Sequence, residues 1–213
     1  MIEHIMPNEK SSDNASTNLP AIKEKLRELV HYASVSRLQV HTACSDVQFR
    51  EMGPDFRPGR ILANNMVFIL VSSDALRITF KIHFNLEDGR HLAYRVFGGD
   101  DPEHITARQA IDYFKEYGNL VAGSIVTQFE KIDIGLGMSL PLCTRGFYEV
   151  FSDYAETEFP TVTYSDFWNL IVNDQSLCCS ALIEILDKNR LQPLINLELI
   201  EPENCDDEEM DFL

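Results

Sequence analysis

The sequence predicts an α+β fold: an antiparallel sheet with long helices packed on one face, built from two pseudo-repeats. Three observations predict it. Asn65–Ser72 and Leu76–Asn85 are consecutive runs rich in β-branched and aromatic residues, joined by the polar turn Ser72-Ser73-Asp74-Ala75. Leu177–Leu186 and Leu191–Ile200 form a second candidate antiparallel pair around Asp187-Lys188-Asn189-Arg190. Two stretches, 20–34 and 103–131, repeat apolar residues at helical spacing.

Taken in order, residues 1–19 are polar and are expected to be disordered. Pro20–Ser34 reads as a helix whose apolar stripe is Leu26, Leu29, Val30 and Ala33, with Lys23, Lys25, Arg27 and Glu28 on its solvated side. Gln39–Ala43 and Val47–Met52 read as short strands. Residues 52–60 hold two glycines and two prolines and read as a loop. Polarity alternates from Arg77 to Phe84, as in a half-buried strand.

Glu87–Phe97 admits a hairpin at Asp88-Gly89, but Leu92, Ala93, Val96 and Phe97 suit a short helix better. Gly98-Gly99-Asp100-Asp101-Pro102 breaks the chain before the long helix of 103–131, and Asp133–Pro141 ends that helix. Thr161–Tyr164 reads as a short strand, and Phe151, Phe167 and Trp168 as core. Residues 20–200 form a single domain on this reading, and 201–213 a separate tail.

The chain has 213 residues, 45 % of them hydrophobic, enough to bury a core. No apolar run approaches the ~20 residues that span a membrane, and the polar start has no signal-peptide pattern, so the expected location is the cytoplasm. A net charge of −16 argues against nucleic-acid and anionic-membrane partners. Cys44, Cys143, Cys178, Cys179 and Cys205 form no metal-type pair and read as reduced thiols. His31, His41, His83, His91 and His104 show no metal-ligand spacing and read as structural.

Chemistry is concentrated on the long helix. Asp112, Glu116 and Asn119 are spaced by four and three residues, which places them within about 60° of arc at ~100° per residue. Ile111, Phe114, Tyr117, Val121, Ile125 and Phe129 occupy the other face. A carboxylate and a carboxamide held side by side can bind a cation and orient a water. By itself such a stripe is most often a solvated helix face. Gly118, Ala122 and Gly123 either let a partner backbone approach or let the helix pack closely on a sheet.

The pattern Asp112-x3-Glu116-x2-Asn119 resembles the signature of the CheC/CheX/FliY family of chemotaxis phosphatases. Pro141 follows Asn119 with 21 residues between, about one short of that family's usual spacing, and Pro141–Gly146 resembles its Pro-to-Gly stretch. The order strand, turn, strand, short helix, Gly-Gly, long helix fits as well. The resemblance covers residues 20–200. One motif copy is visible, as in the CheX branch, whose members work as homodimers.

The resemblance implies a cytoplasmic protein aspartyl-phosphate phosphatase, a hydrolase acting in chemotaxis or other two-component signalling. Its partner would be a phosphorylated CheY-type response regulator that itself supplies the Mg²⁺, with no cofactor bound by this chain. Asn119 would place the attacking water and Glu116 would pair with the regulator's active-site lysine. Asp112 would be a rim contact. No metal ligand and no nucleophilic Ser or Cys is implied.

The tail holds seven acids and no basic residue from Glu201 to Leu213. It resembles the short acidic peptides with which flagellar-switch proteins and the CheZ phosphatase dock onto CheY. Met210, Phe212 and Leu213 would be its apolar contacts; a solubilising terminus is the plainer reading. Two rival functions remain. One is a non-catalytic regulator-binding scaffold of the same fold. The other is a small-ligand-binding domain, which would show an enclosed apolar pocket away from the stripe.

Overall fold

The computed structural model describes residues 18–53, 56, 61, 63–97, 101–145, 162–172 and 174–199. In chain order these form α1 (Leu19–Thr42), β1 (Gln48–Glu51), β2 (Asn65–Ser72), β3 (Leu76–Phe84), α2 (Leu86–Val96), α3 (Ala107–Glu130), β4 (Gly137–Met138), β5 (Leu142–Arg145), β6 (Val162–Val172) and β7 (Gln175–Ile185). Short 3-10 turns lie at Pro102–His104 and Gln192–Asn196. The N-terminal segment 1–17, most of the loop 52–60, the glycine break 98–100, residues 146–161 with Phe151, and the tail with Cys205, Met210, Phe212 and Leu213 lie outside the described residues.

All seven strands join one antiparallel sheet in the order β1-β6-β7-β3-β2-β4, with β5 also paired to β2. The β2–β3 hairpin follows the sequence reading closely, with Asn65 opposite Phe84 and Ser72 opposite Arg77. Its apolar alternation puts Val67, Ile69, Val71, Ile78, Phe80 and Ile82 on one face, all fully buried. The helices α1 and α3 pack on that face. The Trp168 indole N–H on β6 donates to Ser34 Oγ of α1 at 3.1 Å, and the Tyr117 hydroxyl of α3 donates to the Ser34 carbonyl at 2.8 Å. One α1 turn thus ties both the sheet and the second helix.

Several expectations are corrected. Gln39–Ala43 is not a strand: α1 runs on to Thr42 and stops where Ala43 turns left-handed at φ 50° and the Cys44 N–H closes on the Gln39 carbonyl at 3.1 Å. Val40 and Thr42 favour strand locally, but burial of Leu38 and Thr42 overrides that preference. The second strand pair is also wrong in one member. Leu191, Leu194 and Leu197 are buried at a spacing of three, a 3-10 repeat, and Pro193 within them cannot donate to a ladder. The partners of β7 are β3 and β6.

The short strand expected at Thr161–Tyr164 is an eleven-residue strand, β6. Asp166 hid it by breaking the apolar alternation on the helix-facing side, where Arg27 and His31 of α1 meet the carboxylate. The stretch expected to be a plain connection to Pro141 carries β4, and β5 follows at once. Gly89 sits inside α2 rather than in a hairpin. A Cβ there would stand 2.8 Å from Phe114 Cε2, so the glycine is what lets α2 lie against α3.

The polar side of β3 is less exposed than its alternation suggests: Lys81 and His83 are buried, with His83 Nε2 2.9 Å from Ser180 Oγ. The described elements do not establish the two-repeat construction, since α2 of the first half has no counterpart among those described in the second.

Candidate functional site

The site helix α3 is fixed at its start. Thr106 caps it through a reciprocal pair: Gln109 N–H donates to Thr106 Oγ1 at 3.2 Å, and Thr106 N–H donates to Gln109 Oε1 at 3.0 Å. The helix therefore begins at Ala107, four residues later than the Glu103 start read from sequence, behind the 3-10 turn Pro102–His104. Its inner face is Ala110, Phe114, Tyr117, Val121, Ala122, Ile125 and Phe129, all fully buried. Phe114 packs on Phe84 with ring centres 4.1 Å apart, and Tyr117 meets Phe80 edge-on at 6.1 Å.

With that face anchored, the opposite stripe projects outward. Asp112 and Glu116 are exposed and Asn119 is half-buried. Arg108 Nε lies 3.6 Å from Asp112 Oδ2, an exposed pair that contributes little. No hydrogen bond or ion pair joins Glu116 or Asn119 to another described residue. The three residues predicted from the sequence are thus brought together and presented to the outside.

The small residues divide between the two alternatives left open for them. A Cβ at Gly118 would meet Ile82 at 3.7 Å and Val67 at 3.8 Å, so Gly118 belongs to the helix–sheet contact, and Ala122 is buried beside it. Gly123 is one turn beyond Asn119 with nothing within 4 Å of its would-be Cβ, leaving bare backbone at the end of the stripe.

The flanks differ. On the α1 side, His41 donates from Nε2 to the Tyr113 carbonyl at 3.3 Å and stacks on the Tyr113 ring at 4.4 Å. Burial lowers the His41 pKa, while the Tyr113 carbonyl and the Glu116 carboxylate pull it back up. On the β5 side, burial raises the Cys143 thiol against the opposing charges of Lys115 and Arg145. Met138, Leu140 and Leu142 are 49, 83 and 55 % exposed along the β4–β5 edge, and Pro141 stands between the last two.

His41 was missed as a site neighbour. Its signal is visible once α1 is extended: His41 lies two turns beyond Ser34, on the stripe that faces α3.

Two cavities bordered by described residues lie away from the stripe. One, of about 200 Å³, is bordered by His83, Asn85, Asp88, Asn169 and Cys178 together with Met52 and Phe56. The other, of about 530 Å³, opens beside Arg27, Glu51 and Asp166. Neither of these two is an enclosed apolar pocket. Cys44, Cys143, Cys178 and Cys179 are free thiols, and burial pushes the Cys178 thiol up to about 12. No helix among the described residues is long and apolar enough to cross a membrane.

No family model and no curated protein matches this sequence. Solved structures do. The fold is that of the CheX, CheC-like and FliY chemotaxis proteins. The CheX of the CheX–CheY–BeF3–Mg²⁺ complex from Borrelia burgdorferi superposes with a TM-score of 0.56 at 13 % identity, covering 74 % of this chain and 96 % of that one. FliY from Thermotoga maritima gives 0.54 at 16 % identity over 83 % and 96 %. A chain of the FliM–SpeE complex from H. pylori gives 0.52 at 12 % identity over 90 % and 100 %.

Proposed function

We propose that this chain dephosphorylates the phospho-aspartate of a CheY-type response regulator. The observation that carries the reading is the outward stripe of α3, where Glu116 and Asn119 make no hydrogen bond or ion pair with another described residue, on a helix otherwise fixed by its cap and its buried face. A polar pair that the fold itself does not use is available to a partner. In this reading Asn119 holds a water in line with the phosphorus, and positioning is the main contribution a protein makes to phosphoryl transfer. Glu116 pairs with the regulator's lysine and sets the register of the complex. Asp112 contacts the rim. The Mg²⁺ beside the acyl phosphate belongs to the regulator. The fold supports the reading, since it occurs in a CheX crystallised with CheY, BeF3 and Mg²⁺.

The same reading takes the chain as one subunit of a cytoplasmic homodimer with one site per chain. It uses the acidic tail, through Met210, Phe212 and Leu213, to hold the regulator near α3. Removing residues 201–213 would then weaken regulator binding without changing the rate at saturation.

The test is the decay of phosphorylated regulator with and without this protein. The expected result is acceleration that Asn119→Ala and Glu116→Ala each abolish or cut by about 10²-fold. Acceleration untouched by both substitutions would remove these residues from the site. Tight binding of activated regulator with unchanged decay would select the scaffold reading.

A further inference from the structure

Glu116 is not equivalent to its two neighbours on the stripe. At ~100° per residue it lies on the flank nearest Tyr113, whereas Asn119 lies on the flank nearest Lys115. Tyr113 is the residue on which His41 stacks, with the rings 27° from parallel, and Tyr117 extends the same stack at 6.3 Å and 18°. The His41 ring is thereby clamped at the seam of α1 and α3 against Tyr113, the residue one helical turn before Glu116.

We propose that His41 is a positioning residue for Glu116. As a neutral imidazole it leaves the carboxylate free for a partner cation; as an imidazolium it draws the carboxylate back against the α1–α3 seam. The inference rests on Glu116 being the partner-pairing group of the proposed function.

The chemistry is that of an internal competitor. A regulator lysine and a protonated His41 offer the same charge to the same carboxylate, and only one of them is tethered to this chain. Glu116 is the charged group that acts on His41 from α3. Arg37, one turn earlier on α1, is the basic residue on the histidine's own stripe. The ring is half-buried, and burial disfavours its cation. The neutral form therefore prevails at neutral pH, and competition sets in only on the acid side of the ordinary histidine value of about 6.5.

The experiment has two arms. In the first, the His41 ring is titrated by NMR in the free protein and in Glu116→Gln, a surface change that leaves the fold intact. The expected result is a lower His41 pKa in the variant, because the stabilising carboxylate is gone; an unchanged His41 titration overturns the proposal. In the second, the affinity for a BeF3-activated regulator is measured from about pH 5.5 to about pH 8. Wild-type affinity falls several-fold toward acid, and His41→Gln flattens that fall. A His41→Gln profile that parallels wild type overturns the proposal. Absence of regulator binding at every pH overturns the functional reading instead, and the first arm still decides whether His41 and Glu116 are coupled.

Discussion

The α1–β6 seam and the outer stripe of α3 are both rich in charge, and they treat it in opposite ways. At the seam, His31 Nε2 lies 2.6 Å from Asp166 Oδ2, Arg27 Nε donates to the same oxygen at 3.3 Å, and Arg27 also pairs with Glu24 and Glu51. His31 is wedged between Phe49 and Trp168, each 4.7 Å from its ring centre. Burial alone would raise the Asp166 pKa, but the hydrogen bond and charge of His31 and the Arg27 guanidinium outweigh it and hold the carboxyl below its usual range. On the α3 stripe, Glu116 and Asn119 make no hydrogen bond or ion pair with another described residue. Charge that the fold consumes is structural, and charge that the fold leaves unspent is where a partner is to be sought.

Breaking the seam gives the largest effect. Asp166→Ala strands His31 and Arg27 and costs about 3 kcal/mol in denaturant unfolding, because the carboxylate is only 12 % exposed. The pH dependence has a definite sign. A carboxyl with a depressed folded-state pKa stabilises above its unfolded value and loses that stabilisation as pH falls through its folded value. Wild-type stability should therefore decline on the acid side of 3.8, and Asp166→Asn should lack that part of the decline.

Asn119→Ala is the mirror experiment. Loss of about 10²-fold in regulator dephosphorylation should come with stability unchanged within ~0.5 kcal/mol. A comparable loss of stability would mean that the stripe is structural after all.

Glycines sharpen the contrast at a smaller scale. Gly89→Ala should destabilise by about 1–2 kcal/mol, since its Cβ would press on the Phe114 ring at 2.8 Å. Gly118→Ala finds ordinary contact distances and should be neutral or stabilise by up to ~1 kcal/mol, both read from thermal melts. Arg108→Ala should change stability by less than about 0.5 kcal/mol, because its pairing with Asp112 is exposed on both sides.

How much of this is legible in the sequence depends on whether the decisive force is local. The β2–β3 hairpin is written in its alternation and its turn, and α3 in the repeat from Phe114 to Phe129. The end of α1 is not, because Gln39–Thr42 is held helical by Leu38 in the core and His41 on Tyr113, contacts made across the fold. β6 is obscured by the carboxylate that α1 neutralises, and the turn at Gln192–Asn196 by leucines whose period of three is easily taken for a strand. The site stripe was readable because it depends on one helix alone. Its neighbour His41 was not, because it arrives from another.

The Thr106 cap has a consequence for how this chain can vary in length. Because it fixes where α3 begins, it also fixes the compass bearing of every later side chain. One residue inserted between Thr106 and Asp112 would swing the stripe by about 100°, putting an acid where an aromatic belongs. The six positions from Thr106 to Ile111 thus behave as a ruler, whose first mark is the Thr106–Gln109 cap and whose length sets the direction of the stripe.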